Sequence, residues 1–279
     1  MTKPHQKNYS APPITVLMPV YNERVDFLEK SITSILDQTF SDFEFLIIDD
    51  CSTDTNCTRN LARYGKIDSR IRIIRNEQNL GLTKTLNKGL AMARGTYVAR
   101  LDSDDIAAKN RLEKQLAFMR DHPDHVLVGS WSYVIDEYNH VVGKKQFYTD
   151  YADIRKHILE FNFFTHSTWF FKKDVIVGMG KYSDNAPANE DYDLLLRLIS
   201  KHPVHNLDEF LCWYRLRGAS ISHKNNKLQE RNSIATRIRA IKKYGYPKRA
   251  YWNVAFSILV YLLVPYSLKK NLLRLWERD

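Results

Sequence analysis

The chain has 279 residues, 44% hydrophobic and 27% charged, which excludes a disordered polymer and leaves material for one large core or two modest ones. Its three cysteines, Cys51, Cys57 and Cys212, cannot all pair and have no Cys-x-x-Cys or Cys/His spacing, so a disulfide framework and a zinc site are set aside. A net charge of +10 suits nucleic acid, an anionic membrane or phosphorylated substrates. The aromatics fall inside apolar patterns rather than a Gly/Arg-spaced stripe, which argues against nucleic acid as the partner.

Residues 1–13 are polar, lack the apolar run of a secretory signal and read as a flexible lead-in, which gives a cytoplasmic location as the simplest expectation. Ile14 to Val20 is a β-rich run, followed by Tyr21-Asn22-Glu23 and a helix with Leu28, Ile32, Ile35 and Leu36 on one face. Phe43 to Ile48 is a second run, stopped by Asp49-Asp50, and Ile71 to Ile74 a third. Leu86, Leu90 and Ala93 repeat at helical spacing, with Gly95 as the stop signal. Thr96 to Leu101 is the next strand, ended by Asp102, and Leu112, Leu116 and Met119 mark the helix after it. This alternation predicts an α/β fold, a mostly parallel sheet flanked by helices on both faces. Ligands of such sheets bind beyond the carboxyl ends of the strands, where three polar clusters fall here.

After Val126 the pattern becomes mixed. Trp131 to Asp136 and His140 to Phe147 predict a hairpin, and a helix follows near Ile154 to Phe161. The expected division is 14–125 as the first half of one domain, 126–225 as its second half and 226–279 as basic, amphipathic helices. In the last part Ile234, Ile238 and Ile241 share a face, and the apolar run Tyr251 to Tyr266 is flanked by Lys248, Arg249, Lys269, Lys270 and Arg274. That run is short of the ~20 apolar residues a spanning helix needs. It predicts a helix lying in the membrane interface or packed on the domain or a dimer partner.

Asp102-Ser103-Asp104-Asp105 puts three carboxylates at the end of a buried strand, where like charges repel unless a cation intervenes. Mg²⁺ and Mn²⁺ favour such oxygen ligands and leave positions for substrate phosphates. Asp49-Asp50-Cys51-Ser52-Thr53-Asp54 offers acceptors for a base or ribose and N-caps for the next helix. Glu190-Asp191-Tyr192-Asp193 starts a helix, where acids are also favoured by the dipole.

The ordered set Pro19-Val20-Tyr21-Asn22-Glu23, Asp49-Asp50-x-Ser52-Thr53-Asp54, Asn79-x-Gly81-Leu82, Ala99-Arg100-Leu101-Asp102-x-Asp104-Asp105, Glu190-Asp191-Tyr192-Asp193-Leu194 and Tyr214-Arg215 resembles family 2 glycosyltransferases. The similarity spans 14 to about 222 and is nearest to the subgroup that builds bacterial surface polysaccharides and lipooligosaccharides. It implies a GT-A fold, with 14–125 as the nucleotide-sugar-binding half and 126–225 as the acceptor-binding half, and inverting transfer from a nucleoside-diphosphate sugar, with UDP as the better guess. Asp50 and the backbone around Pro19 and Tyr21 would contact the base, Asp102 the ribose, Asp104 a Mn²⁺ or Mg²⁺ ion, and Asp191 would be the general base. Glu23 joins the donor set. Lys84, Arg100 and Arg215 are candidates to assist the departing phosphate, with Glu190, His166 and Arg215 as acceptor-side or supporting groups.

Three positions depart from the family pattern: Cys51 stands at a usual Gly, Lys109 at a common Pro, and His166-Ser167-Thr168 only approximates His-Pro-Ser. A sugar nucleotidyltransferase is the alternative enzyme, although Pro19 to Glu23 lacks the glycine-rich phosphate loop it would carry. An inactive carbohydrate- or membrane-binding module is the non-enzymatic one. The expected acceptor is a glycan growing on a lipid carrier, with the chain peripheral to the inner membrane's cytoplasmic face and free to form a homo-oligomer.

Overall fold

The computed structural model describes residues 11–217 and 226–264. Most of the lead-in, and Lys269, Lys270 and Arg274, lie outside the described residues. The first half is a regular alternation: β1 (Ile14–Val20), α1 (Val25–Leu36), β2 (Phe43–Asp49), α2 (Thr55–Ile67), β3 (Ile71–Arg75), α3 (Leu82–Met92) and β4 (Tyr97–Arg100). β1 and β2 are buried along their whole length because helices cover both faces of the sheet, which is why they read as continuous apolar runs. α1 buries Phe27, Leu28, Ile32 and Ile35, the face its spacing predicts. α2 starts where Asp54 accepts a hydrogen bond from the Cys57 N–H at 2.8 Å, a cap worth about 1 kcal/mol.

Gly95 has a different role from the predicted helix stop. α3 ends at Met92, and a Cβ on Gly95 would stand 2.4 Å from Thr15 N and 2.6 Å from Ile14 C. The glycine lets the chain entering β4 pass against the backbone of β1.

The second half contains β5 (Ile106–Ala107), α4 (Arg111–Asp121), β6 (Leu127–Ile135), β7 (Val141–Lys145), α5 (Tyr151–His157), β8 (Phe170–Lys172), α6 (Lys173–Gly178), α7 (Glu190–Ile199), β9 (Val204–Arg215), α8 (Asn226–Lys243) and α9 (Tyr251–Leu263). One mixed sheet runs β3-β2-β1-β4-β8-β6-β9-β5, with β7 paired to β6. The ladders β3-β2-β1-β4 and β6-β9 are parallel, and those at β8, β7 and β5 are antiparallel. Parallel order therefore dominates the first half and gives way in the second. The predicted hairpin is β6–β7, and the helix after it stops at His157.

Two apolar clusters fill the two faces of the sheet. Ala240 and Ile241 of α8, with Ala250 and Val254 around the start of α9, belong to the same cluster as Leu194, Leu195 and Leu198 of α7. The C-terminal helices are thus packed onto α7 in the second half of the fold. Among the described residues, no helix is long and apolar enough to cross a membrane.

Candidate active site

The strand order reverses at β1, with β2 and β3 laid down on one side and β4 on the other, and the chain ends leaving β1 and β4 frame the crevice expected at such a point. Pro19 lies beyond the last β1–β4 pair, Leu17 with Arg100, so its missing N–H does not interrupt that ladder. Tyr21 is half exposed on the loop that follows. Asn22, at φ 50°, joins this loop to the one after β2: its N–H donates to Ser52 Oγ at 2.9 Å, and its Oδ1 accepts from Thr53 N at 2.7 Å and Asp54 N at 2.9 Å.

Asp50 is buried, and its carboxylate is already well occupied. It accepts from Asn76 Nδ2 at 2.7 Å, Leu80 N at 2.8 Å and Gly81 N at 2.8 Å, so it pins the loop that leads into α3. Cys51 sits at φ 62°, the left-handed region that a glycine there would occupy without strain. Lys84 is exposed on the first turn of α3, whereas Lys88 one turn later is anchored, donating to Asn76 Oδ1 at 2.7 Å.

The three acids after β4 have separate surroundings, although one oxygen of each lies within 4.8 Å of the others. Asp102 is clamped by the buried guanidinium of Arg100, with one contact at 2.5 Å, and accepts from Ser167 Oγ at 3.1 Å. Asp104 forms an ion pair with Arg217 Nε at 3.0 Å, and Arg217 also donates to Glu23. Glu23 accepts in addition from Ser103 Oγ at 3.2 Å, which ties the loop after β1 to the acidic loop. Asp105 is fully buried: its Oδ1 accepts from Arg215 N at 2.7 Å, and its Oδ2 has no hydrogen-bond partner among the described residues. Burial, with the charge of Asp102 next, pushes the Asp105 carboxyl up to about 7. Burial, then Asp105 and Asp102, push Asp104 well above the usual carboxylate range. An oxygen-rich site with an orphaned buried carboxylate oxygen and mutually repelling acids fits a hard divalent cation.

The opposite wall comes from the second half. His166 Nε2 and the Tyr182 hydroxyl share a hydrogen bond of 2.8 Å, and burial, aided by Arg100, holds the imidazole well below its ordinary range and therefore neutral. Glu190 and Asp191 open α7. Burial, with Asp191 next, raises Glu190 to about 7. Burial also raises Asp191, whose Oδ1 accepts from Tyr192 N at 2.7 Å and whose Oδ2 accepts from Asn162 Nδ2 at 3.3 Å. Asp102 is near enough for its charge to raise both. Asp191 lines a cleft of about 660 Å³ between α7, α8 and α9.

Two expected roles change. Arg100 is only 2% exposed and is committed to Asp102 and to Ser167 Oγ at 2.7 Å, so it positions Asp102 instead of reaching a phosphate. Arg215 is likewise 2% exposed. It donates to Asp104 O, Asp136 O and Asn139 Oδ1, each at 2.8 Å, and lies 4.2 Å above the Phe27 ring, supporting the acidic loop from below. Sequence reasoning missed Arg217, Tyr182 and Asn162. For Arg217 a signal existed, since Arg215 and Arg217 are two apart at a strand end and such residues share a face.

The family model described as Glycosyl transferase family 2 matches residues 15–178, more than half of the 279. The chain belongs to this family. It is a glycosyltransferase, and the nucleotidyltransferase alternative falls away. An uncharacterized glycosyltransferase of Methanocaldococcus jannaschii is 34% identical, with 91% of this chain and 89% of that protein covered. The O-antigen biosynthesis glycosyltransferase WbnJ of Escherichia coli is 37% identical over 74% of this chain and 81% of its own length. Among solved structures, the Pyrobaculum calidifontis mannosyltransferase PcManGT in complex with GDP-Man and Mn²⁺ superposes with a TM-score of 0.64 at 16% identity, covering 91% of this chain and 70% of that one. S. aureus TarS 1-349 in complex with UDP-GlcNAc gives 0.61 at 20% identity, covering 80% and 66%, while this chain spans 39% of a longer TarS chain. The architecture is the GT-A fold.

Proposed function

We propose that this glycosyltransferase transfers a sugar, with inversion and with the help of a divalent metal, from a nucleoside-diphosphate donor, UDP in the first instance, to a hydroxyl of a growing bacterial surface glycan or glycolipid. The observation that carries the reading is the pair of acidic sites, the Asp102–Asp105 loop after β4 and Asp191 at the start of α7, the second near enough for the charge of Asp102 to add to burial in raising its carboxyl and open to a cleft of its own.

As the sugar departs, negative charge grows on the diphosphate, and stabilising it is the largest catalytic requirement. Asp104, with Asp102 and Asp105 around it, would hold Mn²⁺ or Mg²⁺, which supplies Lewis-acid stabilisation of that charge when bound. Arg217 must then release Asp104, which it pairs with here. Asp102, fixed by Arg100 and Ser167, turns its remaining exposed edge to the donor ribose. Asn22, Asp50 and Asn76 hold the loops that shape the base pocket next to Pro19 and Tyr21.

Asp191 takes the proton from the acceptor hydroxyl as the new bond forms, a contribution of about 10²- to 10⁴-fold. Its raised proton affinity suits that task, and Asn162 and the Tyr192 N–H fix its orientation. One base acting on the acceptor, with no covalent nucleophile, gives inversion. The exposed apolar face of α9 and the basic residues beside it support contact with the cytoplasmic face of an anionic membrane.

The test is a pair of variants. Asp191→Asn is expected to bind donor as the wild type does and to lose transfer, and Asp104→Asn to lose Mn²⁺-dependent donor binding measured by thermal shift. Near-normal turnover by Asp191→Asn would remove it from the base role.

A further inference from the structure

We propose that Arg217 is a counterion that competes with the divalent metal for Asp104, so that the free protein binds the metal weakly and takes it up together with the nucleoside diphosphate. The proposal rests on the reading of Asp104 as a metal ligand and concerns what holds that carboxylate before the metal arrives.

Arg217 is held from three sides. Glu23 pairs with one end of its guanidinium, and the Phe27 ring lies 5.1 Å from the guanidinium carbon. The contact with Asp104 is of another kind: Nε stands 3.0 Å from Oδ2 yet makes no hydrogen bond among the described residues. Charge alone holds it. Glu23 is itself buried and fixed, its two oxygens accepting from Arg24 N at 2.8 Å and Ser103 Oγ at 3.2 Å. The guanidinium is therefore anchored by groups outside the three acids and can give up Asp104 without leaving the site. Its neighbours have no such freedom, because Arg100 is committed to Asp102, and Arg215 to two carbonyls and Asn139. Arg217 also makes the one ion pair that Asp104 has among the described residues.

Charge then sets the order of events. A divalent cation at Asp104 stands beside a guanidinium that Glu23 keeps in place, and like charges repel strongly in a part-buried site. A diphosphate between them reverses the sign, since its oxygens accept from the guanidinium and coordinate the metal at once. Arg217 thus opposes metal alone and favours metal with diphosphate.

The test is calorimetric titration of the full-length protein with Mn²⁺ alone, and with UDP and GDP at saturating Mn²⁺, the tighter nucleotide being followed. One charge-assisted contact changes a binding constant about tenfold, so Arg217→Gln should bind Mn²⁺ alone about tenfold more tightly than the wild type and the nucleotide about tenfold more weakly. Arg217→Lys keeps the charge and should lie nearer the wild type in both. A merely structural role would not give opposite signs, because a loosened site weakens both ligands.

Mn²⁺ binding unchanged or weaker in Arg217→Gln overturns the proposal, and so does unchanged nucleotide affinity. A wild type that binds no Mn²⁺ even with nucleotide present refutes the metal reading and this inference with it. Mn²⁺ binding that is lost in Asp104→Asn but no tighter in Arg217→Gln keeps the metal reading and overturns this inference alone.

Discussion

Asp50 offers the sharpest separation between holding a ligand and holding the site. Its carboxylate accepts three hydrogen bonds, from Asn76 Nδ2 at 2.7 Å and from the N–H groups of Leu80 and Gly81 at 2.8 Å each, and both oxygens are used. In Asp50→Asn one oxygen remains. The best arrangement keeps it facing Asn76 and Leu80 and turns the new NH₂ toward the Gly81 N–H, donor against donor. The Gly81 bond is lost, at about 1.5–3 kcal/mol for a bond to a charged group, and the other two fall to neutral strength. The variant should therefore be about 3 kcal/mol less stable, read as the urea unfolding free energy of the protein with neither metal nor donor present. Without donor, any effect belongs to the loop and not to base recognition. A change within about 0.5 kcal/mol, the range of an ordinary surface substitution, would refute the reasoning and return Asp50 wholly to the donor.

Asp102→Ala removes the one carboxylate that pairs with the buried Arg100 among the described residues and should cost about 3 kcal/mol of unfolding free energy even without ligands. Cys51→Gly relieves a left-handed non-glycine residue and should raise stability by about 1 kcal/mol, with donor affinity unchanged. The buried acids fix a pH dependence. Asp105 and Glu190 titrate near 7 in the folded chain against 3.8 and 4.5 as free side chains, so between those values the native state holds more protons than the unfolded one. Stability of the metal-free protein should accordingly fall as pH rises from about 4 toward 7 and level off above. Mn²⁺ needs the ionised acids, so the rise in Tm it gives should be larger at pH 8 than at pH 5; an equal rise at both would argue against binding at Asp102–Asp105.

The half of the site built on parallel strands was legible because its logic is local. An apolar run is buried on both sides, it ends where the chain leaves the sheet, and polar residues just past that end must stand at the carboxyl edge. Asp50, Asp102 and Asp104 follow from that alone. The other half depends on β9, whose pattern of buried, half-buried and exposed positions conceals a strand shifted in register against β6 at Ser130/Trp131 and again at Trp131/Ser132.

Those shifts bring the end of β9 under the acidic loop, where Arg215 meets Asp104 and Asp105 from more than a hundred residues away. The same placement lets Arg217 reach Glu23 and Asp104. Spacing along the chain cannot reveal an extra residue in a ladder, so it cannot say which arginine supports the loop and which neutralises it. It also misjudged Arg100: a cation beside three acids looks free to meet a phosphate, until burial shows that leaving it unpaired in the core would cost more than any surface contact returns. Burial decides which of the charges in this crevice remain available for chemistry. Asp191 opens to a cleft at the start of its helix, whereas Arg100 is closed off because its side chain is buried against Asp102 and Ser167.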